Sequence, residues 1–266
     1  MSLRHRIKSH TPWPLHYLYR KVYYFPKDFV AACALVFHGT RTGTTFAERA
    51  ALVRKFYSIS YYVDCPHTEH EILTIARRIL DLDPGVEGTI IEAGAFHGGS
   101  TAKLSLVAKL SHRTLDVFDS FEGMPENREM HGKSIYGREH HFPKGSHAVG
   151  LDEVKGNVTR YGVASVARYH KGWFSETMPG FREKIAVVCV NADLVQSTKD
   201  CVKNLYPRME RGGIFFSQDG HFPWIISLLK DDAFWEKEVG VKKPPMEGLG
   251  ASKLVTIRAD RRPAMR

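Results

Sequence analysis

The chain has 266 residues, 43% of them hydrophobic and 25% charged, with a formal net charge of +9. These proportions exclude a disordered or collagen-like chain and suit one large α/β domain, or two small ones, with a substantial core. The cysteines, Cys33, Cys65, Cys189 and Cys201, show no C-x-x-C spacing or paired framework. That argues against a thiolate zinc site and for reduced thiols in a cytoplasmic protein.

The charge is concentrated at one end. Residues 1–60 hold ten bases and two acids, and the rest of the chain is close to neutral. A nucleic-acid surface needs basic groups around the site that does the chemistry, so none is expected here. A basic N-terminal arm that meets a membrane surface or an acidic partner stays open. The apolar run from Phe29 to Phe37 is far too short to span a bilayer and lies too deep in the chain for a secretory signal. Segment 15–25 mixes bases with Tyr and Phe, a composition found at lipid interfaces, although aromatic residues at helical spacing more often pack against a core. The expectation is helices folded against the domain, completing a substrate mouth or a dimer contact. From Thr68 to Leu80 the pattern is an amphipathic helix, with Thr68 as N-cap and Glu71 completing a capping box.

The chain then reaches Gly88-Thr-Ile-Ile-Glu-Ala-Gly-Ala-Phe-His-Gly-Gly-Ser100. Thr89, Ile90 and Ile91 suit a strand buried on both faces of a parallel sheet. Gly94, Gly98 and Gly99 permit a tight turn close to a ligand, and residues 100–110 have the apolar spacing of a helix. A dinucleotide fingerprint would need glycine where Phe96 stands, so a pyrophosphate is disfavoured. Glu92-x-Gly94-x-x-x-Gly98 instead resembles the first motif of class I S-adenosylmethionine (SAM) methyltransferases. Residues 114–119 read as a second strand ending at Asp119, about where a βαβ unit places a carboxylate for ribose hydroxyls. An N-cap or turn role for Asp119 before Ser120 is the alternative.

Four further stretches carry a closer resemblance. Asp119-Ser-Phe-Glu-Gly-Met-Pro125, Leu151 to Gly162, Lys171-Gly-Trp-Phe-Ser-Glu-Thr-Met-Pro179, and Asp193-Leu-Val-Gln-Ser-Thr198 through Leu205 to Gly213 are similar, in order, to motifs of the macrocin O-methyltransferase family. The similarity covers roughly residues 66–220. It implies an α/β, doubly wound, Rossmann-like class I methyltransferase fold, with residues 1–65 as a basic helical extension or lid and 66–266 as the methyltransferase domain. It also implies an enzyme that uses SAM to methylate a hydroxyl of a small molecule, such as a sugar, and a homo-oligomer. Placed on this sequence, the SAM site comprises Glu92, Gly94, Ala95, Phe96, His97, Gly98, Ser100, Asp119, Ser120, Gly172, Trp173 and Asn191.

The strand pattern agrees with that fold. Residues 166–170, 185–190 and 213–216 read as strands, the last after a Gly212-Gly213 turn, and 198–206 as a helix. Residues 253–258 supply a last strand, which the resemblance makes antiparallel, for a mixed seven-stranded sheet. Ligands in such sheets lie beyond the carboxyl ends of the strands, which gathers Glu92, Asp119, Asn191 and Asp219 at one mouth.

The sequence departs from the family where Mg²⁺ would bind. The matching positions are Asn191, Gln218 and Asp219, with one acid among them. Neutral carbonyls hold a hard cation weakly, which leaves metal dependence open, with Asp193 as a compensating acid. The candidate base is His221, two residues after Asp219, and an imidazole in its ordinary range would titrate near neutrality. His140 and His141, in a loop at 130–150 expected to cover the mouth, are a second option. Trp173, Phe174, Phe222 and Trp224 suit a sugar or an aromatic acceptor, with Trp173 equally suited to flank adenine. Two other functions stay open, a SAM-fold protein without methyl transfer and a nucleotide-dependent oxidoreductase.

Overall fold

A computed structural model describes residues 13–260, with side chains from residue 22 onward. In chain order the principal elements are helices α1 (Trp13–Phe37), α2 (Phe46–Tyr62) and α3 (Glu69–Leu80), β1 (Thr89–Ala93), α4 (Gly99–Leu110) and β2 (Leu115–Asp119). After a long irregular segment come α5 (Leu151–Tyr161), β3 (Ala167–Lys171), a single helical turn α6 (Phe174–Thr177) and β4 (Ile185–Val190). The chain continues through α7 (Val195–Leu205), β5 (Met209–Ser217), α8 (Pro223–Lys230), a π-helical turn (Phe234–Val239), the short β6 (Met246–Glu247) and β7 (Val255–Arg258).

The strands form one seven-stranded sheet in the order β3-β2-β1-β4-β5-β7-β6. Strands β1 to β5 run parallel, and β7 is antiparallel to both β5 and β6. Alternate residues of each central strand feed different cores, as the two-residue period of a strand requires. Ile90, Val117, Val187 and Phe216 face α2 to α5, together with Leu35, Phe56, Ile72 and Ile79. Ile91, Phe118, Val188 and Phe215 face the other side, with Ile225, Leu229 and Trp235. Each fully buried Ile, Leu or Phe contributes roughly 1.5–3 kcal/mol, so helices cover both faces because both are apolar. Gly212 and Gly213 lie inside β5 rather than in a turn before it. Gly212 has φ +86, and the register against β4 shifts across this stretch, so the glycines make a bulge within the strand.

The N-terminal helices share the core of the sheet. Leu35 of α1 and Leu52, Phe56 and Ile59 of α2 are buried in the same cluster as β1. Helix α3 begins as its sequence indicates, with the Thr68 amide donating to the Glu71 carboxylate at 2.7 Å. The buried carboxylate of Asp28, on α1, accepts the His70 amide in the first turn of α3 at 2.9 Å. A second tie is the fully buried ammonium of Lys103, on α4, which donates to the Ser60 hydroxyl at 2.6 Å and to Glu69 at 3.3 Å. Removing one partner of a buried ion pair costs about 3–5 kcal/mol, so α2, α3 and α4 are held as one body.

Candidate active site

The carboxyl ends of the parallel strands open into a groove of about 2330 Å³. That exceeds the ~300–1,000 Å³ of an ordinary ligand pocket and leaves room for a cofactor together with an acceptor. Its wall takes Gly94 and Phe96 from the loop after β1, Asp119 and Ser120 after β2, Gly172 and Trp173 after β3, and Asn191 and Asp193 after β4. His140, His221, Phe222 and Lys253 close the far side, and Tyr24 and Lys27 of α1 complete the rim.

The glycine loop is built for close approach. Gly94 has φ +93, and a Cβ there would collide with the backbone oxygen of Asn191, so only glycine fits. Phe96 follows at φ +49, an uncommon conformation for a bulky residue. Asp119 braces this loop: one carboxylate oxygen accepts the Ala95 amide at 2.7 Å and the other accepts the Phe121 amide at 2.7 Å. The Phe96 amide also acts on this carboxylate, and the residue faces the groove.

The SAM-site residues assigned from sequence therefore divide into two groups. Gly94, Phe96, Asp119, Ser120, Gly172, Trp173 and Asn191 line the groove, while Glu92, Ala95, His97, Gly98 and Ser100 are not on its wall. His97 Nδ1 pairs with Glu153 at 2.6 Å, and Gly98, at φ +78, starts α4. Glu92 is buried behind the loop, and its Oε2 has no hydrogen-bond partner. Burial pushes its carboxyl up to about 7, with the Ser100 hydroxyl pulling the other way. Because the folded-state value exceeds the ordinary one, the ligand-free protein should lose stability as pH rises from about 4.5 to 7. Glu92→Gln should remove up to about 3 kcal/mol of that loss. Denaturant melts of both proteins across this range would show it, and identical pH slopes would overturn it.

On the other half of the mouth stand two neighbouring acids, Asp193 and Asp219. Asp219 is fully buried, its Oδ2 accepting the amides of Ala192 at 2.9 Å and Asp193 at 3.2 Å, and its Oδ1 has no hydrogen-bond partner. Asp193 stands at φ +60, held by Trp224 Nε1 donating to its carbonyl at 2.8 Å, and reaches the groove wall, which Asp219 does not. Burial raises both carboxyls above the ordinary range. The Asp193 charge adds to the rise at Asp219, while the Lys253 ammonium opposes it at both. Both acids therefore take up protons at higher pH than ordinary carboxyls do.

His221 behaves differently from its sequence expectation. Its ring is buried against Phe222, with the centroids 3.9 Å apart, and lies 6.0 Å from the His140 ring. Burial, then the charges of Lys253, His140 and Arg138, push it down to about 3. It is a neutral imidazole at any working pH, so it does not titrate near neutrality. His140 lies on the groove wall, and His141 is exposed and off it.

The Mg²⁺ donors implied by the resemblance fit poorly. Gln218 is buried and, like Asp219, off the groove wall. One Asp219 oxygen is taken by backbone amides, and Lys253 already brings positive charge to the acids. Among the described residues no group of three or more His, Cys, Asp or Glu could hold a metal ion. One carboxylate and two neutral carbonyls are a weak donor set for a hard dication. Lys253, Tyr24 and Lys27 are not among the site residues assigned from sequence, although the N-terminal segment is expected to reach the mouth. Lys253 stands just before a strand whose pairing with β5 brings it back to the mouth.

Solved structures share this fold. The O-methyltransferase NovP aligns with a TM-score of 0.55 at 19% identity, covering 91% of this chain and all of NovP. CalS11, a calicheamicin methyltransferase, aligns with a TM-score of 0.55 at 16% identity, covering 88% of this chain and 91% of its own. Among curated proteins, a tetracenomycin-C rhamnosyl 4'-O-methyltransferase from Streptomyces olivaceus is 37% identical over 144 residues, 52% of this chain and 55% of its own length. Mycinamicin III 3''-O-methyltransferase from Micromonospora griseorubida is 30% identical over 149 residues, 53% of this chain and 59% of its own. The chain thus spans little more than half of the curated relatives it matches. Residues 72–226 match the family model described as Macrocin-O-methyltransferase (TylF), and the chain belongs to that family.

Proposed function

We propose that this chain is a SAM-dependent O-methyltransferase acting on a hydroxyl of a small molecule, a sugar or another secondary-metabolite-type acceptor. The observation that carries the reading is the meeting, in one groove, of a glycine cradle with a bracing carboxylate and an acid pair whose cavity-facing member is Asp193. The groove fits the cofactor: Gly94 and Phe96, both at positive φ, bring the loop backbone to its wall, and the Asp119 carboxylate faces it beside them. When bound, SAM supplies an electrophilic methyl group on a sulfonium.

The chain's own residues do the rest. Gly94 and Phe96 shape the cradle, Asp119 offers its carboxylate to ribose hydroxyls, and Trp173 offers a flat apolar surface. Asp193 takes the proton of the acceptor hydroxyl as the new C–O bond forms, and Asp219 fixes its backbone through the shared amide. His221, kept neutral by burial, can accept or donate a hydrogen bond to the acceptor but holds its own proton too weakly to serve as the main base. Holding acceptor oxygen and methyl carbon in line supplies much of the acceleration in such displacements.

Titration calorimetry with SAM and with NAD, followed by labelled-methyl transfer to hydroxylated sugars and phenols, tests this reading. SAM binding with methyl transfer supports it, SAM binding without transfer to any acceptor favours a non-transferring SAM-fold protein, and NAD binding alone overturns it. Because Asn191 and Gln218 bring no charge, activity should persist at a substantial fraction in excess chelator. Complete loss, restored by Mg²⁺, would show that the Asn191, Gln218 and Asp219 set still works as a metal site.

A further inference from the structure

Helix α1 carries an apolar stripe that the core does not use. Val22, Phe25, Phe29, Val30 and Phe37 are 71%, 61%, 56%, 66% and 72% exposed, although the opposite side of the same helix buries Asp28 and Leu35. Their spacing places them along one side of the helix, over about 22 Å at 1.5 Å per residue. The stripe is locally ordered: Phe25 and Phe29 stack with ring centroids 5.9 Å apart, and Phe37 meets the exposed Phe46 of α2 at 5.6 Å. The aromatics of segment 15–25 that have described side chains thus include two, Tyr23 and Phe25, that are largely exposed rather than packed.

The charge around the stripe selects its occupant. Lys21 and Lys27 lie at helical positions on either side of it, and residues 1–60 as a whole hold ten bases against two acids. A second copy of this chain would bring the same basic segment against itself, and like charges directly opposed disfavour association. An anionic bilayer surface complements both features, taking the apolar side into the boundary between headgroups and acyl chains while bases meet lipid phosphates. No helix among the described residues is long and apolar enough to cross a membrane, so the contact is one that lies on the surface.

We propose that the exposed side of α1 docks this protein on an anionic lipid surface. The helix lies in the plane of the interface, with Phe25, Phe29 and Phe37 as its apolar anchors. Because Tyr24 and Lys27 of the same helix line the groove, docking sets the rim of the active site beside lipid headgroups.

The test is sedimentation of the full chain with sucrose-loaded vesicles, of phosphatidylcholine alone or with one third phosphatidylglycerol, in low and half-molar salt. Partitioning should rise by at least about tenfold with the anionic lipid and fall back in high salt. Phe29→Glu combined with Phe37→Glu should lower binding to the anionic vesicles by at least about tenfold. Far-ultraviolet circular dichroism and SAM affinity should stay at their wild-type values, since neither residue lines the groove. Three results would overturn the proposal: failure of the wild-type protein to bind anionic vesicles, binding indifferent to lipid charge and salt, or a wild-type dimer in light scattering that the double variant dissociates. The wild-type arms decide the question even if the variant folds poorly. They are also independent of the proposed methyl transfer, because vesicle binding is read without acceptor.

Discussion

Asp193→Asn is expected to lower the turnover rate by about 10²- to 10⁴-fold, the range for loss of a general base, while SAM affinity changes little. Asp193 is the member of the acid pair that reaches the groove, and Asp219 lies beneath it. Burial raises both carboxyls, so the rate should fall toward acid through an ionisation above the ordinary carboxylate range, as the base takes up its proton. Asn at 193 also removes the like charge that helps raise Asp219. Any residual rate should therefore lose that acid limb or show it at lower pH. Asp219→Asn should reduce the rate as well, by a positioning effect, since its Oδ2 accepts the amides that set the Ala192–Asp193 turn. His221→Ala should cost far less than Asp193→Asn, because an imidazole pushed down to about 3 is a poor base at neutral pH. Steady-state rates across pH decide between them. A rate within a few-fold of wild type for Asp193→Asn, with collapse for His221→Ala, would return the base to the histidine.

These expectations mark where the sequence was legible and where it was not. Features that depend on neighbours in the chain could be read directly. The β-branched run at 89–91 is the buried strand β1, Thr68 and Glu71 start α3, and Val255–Arg258 is a strand. Six of the seven strands follow from the same local patterns; the total of seven and the antiparallel last strand come from the family resemblance, and the two-residue β6 has no local signal. The site was legible only as far as strand ends could be found. Glu92, Asp119, Asn191 and Asp219 do lie at the ends of adjacent parallel strands, yet Glu92 and Asp219 are set back from the groove wall. Whether a strand-end side chain points to the ligand or into the protein depends on the twist and bulges of the sheet, which the alternation of residue types does not encode. The protonation of His221 was hidden for a similar reason. It depends first on burial and then on the charges of Lys253, His140 and Arg138, which come from the 130–150 segment and from just before β7. The exposure of Phe25, Phe29 and Phe37 was hidden because an apolar stripe looks the same whether it meets a core or nothing.

Gly94→Val is expected to weaken SAM binding by at least about a hundredfold, with the protein still folded. The residue stands at φ +93, where a β-branched side chain costs on the order of 1–3 kcal/mol in backbone strain alone. The larger penalty is steric, because the space for a Cβ is filled by the carbonyl oxygen of Asn191. That oxygen belongs to a fixed segment, for the Asn191 amide donates to Ala93 at 2.9 Å and β1 pairs with β4 along its length. Relief must come from the loop after Gly94, and a shift there pulls the Ala95 amide from its 2.7 Å bond to Asp119 and moves Phe96 in the cradle. One substitution thus disturbs both the glycine turn and the carboxylate that braces it. Gly156→Ala is the matched control: it lies within α5, meets nothing within 4 Å, and should raise stability by roughly 0.5–1 kcal/mol without touching the groove. Calorimetric titration of both variants with SAM is the measurement. Wild-type affinity in a folded Gly94→Val protein would place the cofactor elsewhere in the groove, away from the turn between β1 and α4.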